Sequence, residues 1–415
     1  MHLEKNVRPH QWLLLALASL IHLLPPLLYL AFNLLPKRML AAGGDFGAYY
    51  YALKVALDGG NPYDVEQLRQ LSSLQLPPFV YPPPFLLTMS WSMALPMKTG
   101  YFAMFVLNEL LLVGILLLMR RHLGLDWKLA TLLVATYFPL WDNLLWGQIN
   151  LVVLLPTLGA MVLAERRPRA AGALVGVAAV IKVIPGLLLL YWFVRRQWRP
   201  VVAAIAIVVG LSVMVLPLVG LDIQLAYYTQ ILLGHAQGNL KELGLRVPIA
   251  SEYNHSLVGV LSHAWPGADI YHPARAVQFG ALSFIAALLV RWALWVRNAC
   301  PPSAALAVLL GIASIASTYA WEHHLLLMMP AVVIAARDGG PRWHFGVLYA
   351  CMVFPLGLLL ALAGMLGVAA YVPVLAPWIS LCKLLGILGL CALCLRAQAL
   401  AEVPRPAMLG GSVDA

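Results

Sequence analysis

The chain is predicted to fold as an all-α, multi-span membrane bundle, and three observations carry that prediction. Only 11% of its 415 residues are charged and 62% are hydrophobic, with a mean hydropathy of +0.84; a soluble domain carries roughly 25% charge. Apolar runs near or above about 18 residues recur along the chain, long enough to cross a hydrocarbon layer as helices. Those runs lack the alternation of a spanning barrel, and in lipid only helices or closed barrels satisfy their own backbone.

Taken in order, the spans fall near residues 11–35, 101–119, 128–140, 149–164, 201–219, 274–297, 303–319, 324–336, 343–366 and 377–395. With two irregular pieces added, the total is about 10 to 13 helices. The first span is too long for a signal-peptide core and no small-residue cleavage site follows it, so it is expected to stay as an anchor. Residues 84–97, bounded by Pro82-Pro83-Pro84 and Pro96, are short for a crossing. Residues 170–194 are basic at both ends and read as a broken hairpin with Lys182 and Pro185 at the bend, because proline removes a helix donor and clashes with the preceding turn. A single crossing with Lys182 near the midplane is the alternative. Residues 1–400 form one multi-span domain, and 401–415 read as a disordered tail.

The net charge of +10, from 27 Lys+Arg against 17 Asp+Glu, comes from short basic clusters between apolar runs. That is the cytoplasmic-loop bias of membrane proteins rather than a nucleic-acid surface, so no nucleic-acid partner is expected. The five cysteines form no loop framework, and Cys391-x-x-Cys394 lies on a predicted helix as packing residues. The basic clusters place the first loop (36–83), residues 141–150, the long segment 220–273 and residues 318–324 on the outer side. These segments are rich in aromatics, His, Asn and Gln, so one outward-facing site built from several loops is expected.

Asp45, in GGDFGAYYYA, is the leading candidate for chemistry. An Asp after two glycines can cap a helix, or it can serve as a general base within hydrogen-bond reach of a hydroxyl. Tyr49 lies one turn along, and Tyr81 opens the extended YPPP entry. Trp146, Gln148 and Asn150 pack an indole and two amides into WGQIN at a membrane edge, where buried amides need partners. Lys182, flanked by Ile181 and Val183, is costly in lipid and therefore a functional candidate; a lipid phosphate is one partner, and snorkelling to water is the bland alternative. In WEHH, Trp321 can stack on a sugar, while His323 and His324 point about 100° apart on a helix and suit a single metal ion poorly, since the usual helical pair is spaced i, i+4. Asn254, in YNHS, either caps the next helix or touches substrate. No P-loop or dinucleotide glycine pattern appears.

In order, GGDFGAYYYA, GGNPYD, YPPP, WGQIN, AGALVGVAAVIKVIP, YNHS and WEHH resemble glycosyltransferase family 87 of the GT-C superfamily, over about residues 40 to 335. The resemblance implies a bacterial inner-membrane enzyme with its active site facing outward. It also implies a polyprenyl-phosphate sugar as donor, mannose by default, and inversion at the anomeric carbon. Asp45 would be the base, with Lys182 and His323 or His324 on the phosphate side. A glycolipid or glycan would be the acceptor, within membrane lipid. No metal or other cofactor is expected, because the lipid-phosphate donor already carries its activation. A transporter or flippase of a lipid-linked sugar is the competing expectation.

Overall fold

The computed structural model describes residues 9–28, 43–72, 76–240, 244–245, 247–265, 269–297, 300–338, 340–355, 359 and 372–401. Apart from Ala401, the tail expected over 401–415 lies outside them. Every regular element among the described residues is helical. Four helical stretches are long and apolar enough to cross a membrane: Met97–Leu123, Trp198–Gln237, Arg275–Arg297 and Pro377–Arg396. Shorter apolar helices fill the space between them.

Helix α1 (Pro9–Ser19) continues into a 3-10 turn (Leu20–Leu23). There the buried His22 joins Glu109 Oε1 through Nδ1 at 2.9 Å and the Val134 carbonyl through Nε2 at 2.9 Å. Among its described residues the expected first loop holds two helices, α2 (Gly44–Leu57) and α3 (Val65–Leu71). Asp64 caps α3 by accepting from the amides of Glu66 and Gln67. The short piece at 84–97 is α4 (Phe85–Thr88) followed by a 3-10 turn (Ser90–Ala94), too short to span. Next come α5 (Met97–Leu123), α6 (Trp127–Thr136), α7 (Phe138–Trp146) and α8 (Asn150–Leu163). The α6–α7 break falls at Tyr137, just before Pro139, where proline favours a helix start.

The chain then turns back on itself. Helix α9 (Pro168–Ile181) ends at Lys182, whose backbone is extended (φ −148°, ψ 126°). A 3-10 turn (Ile184–Leu188) and α10 (Leu189–Val194) lead into α11 (Trp198–Ala226). Gly172 abuts Pro200, and Gly176 abuts Ala204 and Ile207. Contacts advancing together in sequence mean that α9 and the start of α11 run in the same direction, so residues 182–197 make the return arm of a hairpin. A Cβ on Gly172 would overlap the Pro200 backbone carbonyl, which cannot swing aside as a side chain can. Gly172→Val is therefore expected to destabilise the fold by about 1–3 kcal/mol, read as a lower thermal midpoint in detergent. An unchanged midpoint would remove this close packing from the account.

The segment 220–273 begins within a helix. Gly220 (φ 76°, ψ 166°) kinks α11 but does not end it; helical order continues through a π turn (Tyr227–Ile231) and α12 (Leu232–Gln237). Glycine tolerates the positive φ that the kink requires. Helices α13 (Leu257–Ala264), α14 (Arg275–Arg297) and α15 (Pro302–Ala316) follow. A 3-10 turn (Glu322–Met328) leads into α16 (Met329–Asp338), and α17 (Arg342–Val353) and α18 (Val372–Ala401) complete the described helices. The far end of the expected 343–366 span lies outside the described residues. All residues of 304–315 and of 322–335 are buried. A helix apolar all round belongs in a core, and this one places the WEHH turn deep in the bundle.

Candidate active site

Two glycines set the site's geometry. Gly43 (φ 73°) starts α2 and donates its amide to the Leu145 carbonyl at 2.8 Å. Gly147 (φ 67°) closes α7, and a Cβ there would press on Phe46 and Tyr101. Both positions need the left-handed backbone that glycine supplies cheaply. Together they bring the first turn of α2 against the 146–150 bend. Asp45 stands in that turn and is not the cap, since Gly43 occupies the cap position without a side-chain bond. An anion there gains from the helix N-terminus.

Three residues read separately in the sequence are hydrogen-bonded in series, with Asp45 beside them. The Gln148 side chain lies close enough to Asp45 to lower its carboxyl, and its Oε1 accepts from Tyr49 Oη at 2.9 Å and Tyr81 Oη at 3.2 Å. Those partners orient the amide. Asn150 reaches Gln148 Oε1 at 3.5 Å and Asn143 Oδ1 at 3.0 Å through Nδ2, while its Oδ1 accepts from Lys182 Nζ at 2.8 Å. The Lys182 ammonium also lies 5.8 Å from the centre of the Tyr81 ring, a cation–π distance. One bond to Asn150 uses one of its three N–H donors. Gln148, Asn150 and Lys182 are thus linked in series, with Asp45 beside Gln148, so an acid and a cation share one cluster.

The WEHH turn packs against α7 and α8. His323 Nδ1 lies 3.0 Å from Asp142 Oδ2, and Trp146 Nε1 donates to Asp142 Oδ1 at 3.1 Å. His323 Nε2 is buried without a partner. His324 Nδ1 is buried without a partner, and its ring lies 4.8 Å from that of His323. Trp321 is half-buried and stacks beside Tyr319, ring centres 6.4 Å apart. Burial raises the Asp45 carboxyl above its ordinary value, against the opposing pull of His323 and Gln148.

Behind this turn sits a buried ion pair. Glu322 accepts from Lys383 Nζ at 2.8 Å and lies 3.1 Å from His255 Nε2. Lys383 is fully buried and also donates to the Met352 carbonyl at 3.0 Å. Removing one partner of such a pair strands the other charge, so α18 is locked to the WEHH turn.

Not every sequence candidate joins this cluster. Asn254 is fully buried, with Nδ2 donating to the Ile249 and Thr318 carbonyls and Oδ1 accepting from the Ser256 and Ala320 amides. Its amide braces two loops and has nothing left for a ligand. Tyr49 is 1% exposed and holds Gln148 in place. The indole N–H of Trp146 is spent on Asp142, leaving only its ring face. Sequence reasoning passed over Asp142, Glu322, His255 and Lys383. Lys383 carried a usable signal: a lone cation in an apolar span, the criterion that singled out Lys182.

The family model for glycosyltransferase family 87 matches residues 79–330, well over half the chain. The chain belongs to glycosyltransferase family 87. Asp45 and Lys383 lie outside the matched residues, while Asp142, Lys182 and the WEHH turn lie inside. The polyprenol-phosphate-mannose-dependent alpha-(1-2)-phosphatidylinositol pentamannoside mannosyltransferase of Mycolicibacterium smegmatis is 27% identical over 287 residues, which are 67% of this chain and 66% of that relative. The polyprenol-phosphate-mannose-dependent alpha-(1-2)-phosphatidylinositol mannoside mannosyltransferase of Mycobacterium tuberculosis is 26% identical over 286 residues, 64% of this chain and 63% of that relative. The chain spans a little under two thirds of the length of these curated relatives. No solved structure matches it.

Proposed function

We propose that this family 87 chain transfers a hexose, mannose by default, from a polyprenyl-phosphate carrier to a hydroxyl of a glycolipid or glycan acceptor. The chemistry takes place at the outer face of a bacterial plasma membrane. The reading is supported by the cluster in which Gln148, Asn150 and Lys182 are hydrogen-bonded in series beside Asp45. The relatives' names, each specifying polyprenol-phosphate-mannose dependence, support the donor.

Asp45 removes the acceptor proton as the acceptor oxygen attacks the anomeric carbon. The bond to the phosphate oxygen breaks, and its electron pair stays on the departing phosphate. Lys182 faces that developing charge, the arrangement that gives electrostatic catalysis its leverage in a dry site. One free carboxylate favours direct displacement with inversion; by analogy with glycosidases, retention needs a second carboxylate as nucleophile. Asp142 is the nearest alternative, but both its oxygens are committed to Trp146 and His323. Since the donor carries its own activation, the reaction is proposed to run without a metal ion.

The raised Asp45 carboxyl gives a pH prediction with a definite sign. The base form exists above the group's pKa, so activity is lost as pH falls through it. The acidic limb of kcat/KM, which reports the free enzyme, is expected above the ordinary Asp value of 3.8. A limb at or below that value would contradict the buried environment assigned to Asp45. Purified protein in nanodiscs, given polyprenyl-phosphate mannose and candidate acceptors, tests the transfer itself by mass spectrometry of products.

A further inference from the structure

Asp142 has no role in the transfer described so far, yet both its oxygens are held. Its Oδ1 is fixed by Trp146 from the same helix, one turn along, and its Oδ2 meets Nδ1 of His323 at 3.0 Å. A ring held at Nδ1 by a carboxylate is a neutral imidazole with its proton on Nδ1 and a lone pair on Nε2. That Nε2 is the buried, unpartnered nitrogen. Burial pushes His323 toward its neutral form, which keeps the lone pair available at rest. Asp45 and His323 also act on one another through their charges, while Asp142 is the carboxylate in contact with the ring.

We propose that Asp142 is a positioning residue that holds His323 with Nε2 open as the proton exit for Asp45. The inference rests on the transferase reading above. The proton leaves the acceptor hydroxyl for Asp45 and passes to His323 Nε2. From there it goes to the released phosphate monoester or to water. The carbon–oxygen bond to the acceptor forms as the bond to the phosphate oxygen breaks, so atoms and charge balance. Asp45 is restored to its ionised form for the next acceptor.

The surroundings support this assignment. Burial and the nearby Glu322 push Asp142 up to about 7, with the Trp146 bond, Lys383 and His255 opposing. Asp142 and His323 share one hydrogen bond, so they take up an added proton as a unit. A proton placed on Nε2 leaves the pair with no net charge, which suits a buried site. The other titratable groups facing the pair are His324, Lys182, His255 and Glu322 on the His323 side, and Tyr253 beside Asp142. Glu322 and Lys383 neutralise one another behind the turn.

Asp142→Asn is the decisive variant. Its amide can still accept from Trp146, but it now donates to Nδ1 and forces the proton of His323 onto Nε2, closing the exit. We expect kcat to fall by about 10²-fold or more, within the range of acid–base contributions, while KM for the lipid donor changes less than threefold. His323→Gln should fall equally, and the double variant no further, because the two act as a unit. ¹⁵N spectra of histidine-labelled protein, with His323→Gln identifying the signal, should show the Nδ1–H form in wild type and the Nε2–H form in Asp142→Asn. Unchanged kcat in Asp142→Asn, or additive losses in the double variant, would overturn the proposal. If wild-type protein transfers no sugar, the transferase reading falls, and the ¹⁵N spectra still decide the pair: Nε2–H in wild type overturns it.

Discussion

Asp45→Asn is expected to lower kcat by about 10²–10⁴-fold, the usual contribution of a positioned general base, with donor binding retained. The amide is the same size and can still sit beside Gln148, so the first turn of α2 and the 146–150 bend should keep their places. What it cannot do is accept a proton from the incoming hydroxyl. Donor binding, followed by a fluorescent or radiolabelled polyprenyl-phosphate sugar, should therefore stay within a few-fold of wild type. This split separates the enzyme from its main competitor. A flippase with the same cluster has no proton to remove, and its transport rate should barely notice the change. Turnover persisting in Asp45→Asn would remove Asp45 from the chemistry.

The second large effect is expected at Lys182. Its ammonium is buried, bonded to Asn150 at 2.8 Å and placed over the Tyr81 ring. If it meets the phosphate as charge builds there, Lys182→Met should cost about 10²–10³-fold in kcat, the range seen when one oxyanion donor is removed. Lys182→Arg should recover part of the loss: it keeps the charge but changes the shape of the donor, and the two side chains are not equivalent. Kinetics on both variants, with KM and kcat separated, check this. A rise in KM alone would make Lys182 a ground-state anchor for the donor. No change in either constant would return it to the role of a structural lysine bonded to Asn150.

The sequence made the fold class legible because low charge and repeated apolar runs leave few alternatives. The hairpin at 170–194 was also legible, since Lys182 and Pro185 interrupt an apolar stretch. The kink at Gly220 was not: a glycine near the end of an apolar run looks like a helix terminus, and only packing shows that the helix resumes. Within the site, Asp45, Gln148, Asn150 and Lys182 each stood out for local reasons. Their clustering did not, because it joins α2, the 146–150 bend and the α9 hairpin across long sequence separations. Asp142 escaped notice for the same reason, its decisive partner His323 being on a distant turn. Asn254 shows the converse error. A polar residue in a motif drew attention as a ligand, while its fourfold backbone bonding identifies a brace between loops.

The central claim is that Asp45 and Lys182 serve sugar transfer from a lipid phosphate within one cluster. Its most direct test is purified protein in nanodiscs with ¹³C-labelled polyprenyl-phosphate mannose and a glycolipid acceptor, with products separated by mass spectrometry. The account predicts label on the acceptor and one equivalent of free polyprenyl phosphate, both lost in Asp45→Asn. Label that stays on its carrier, with or without crossing the bilayer, would contradict it.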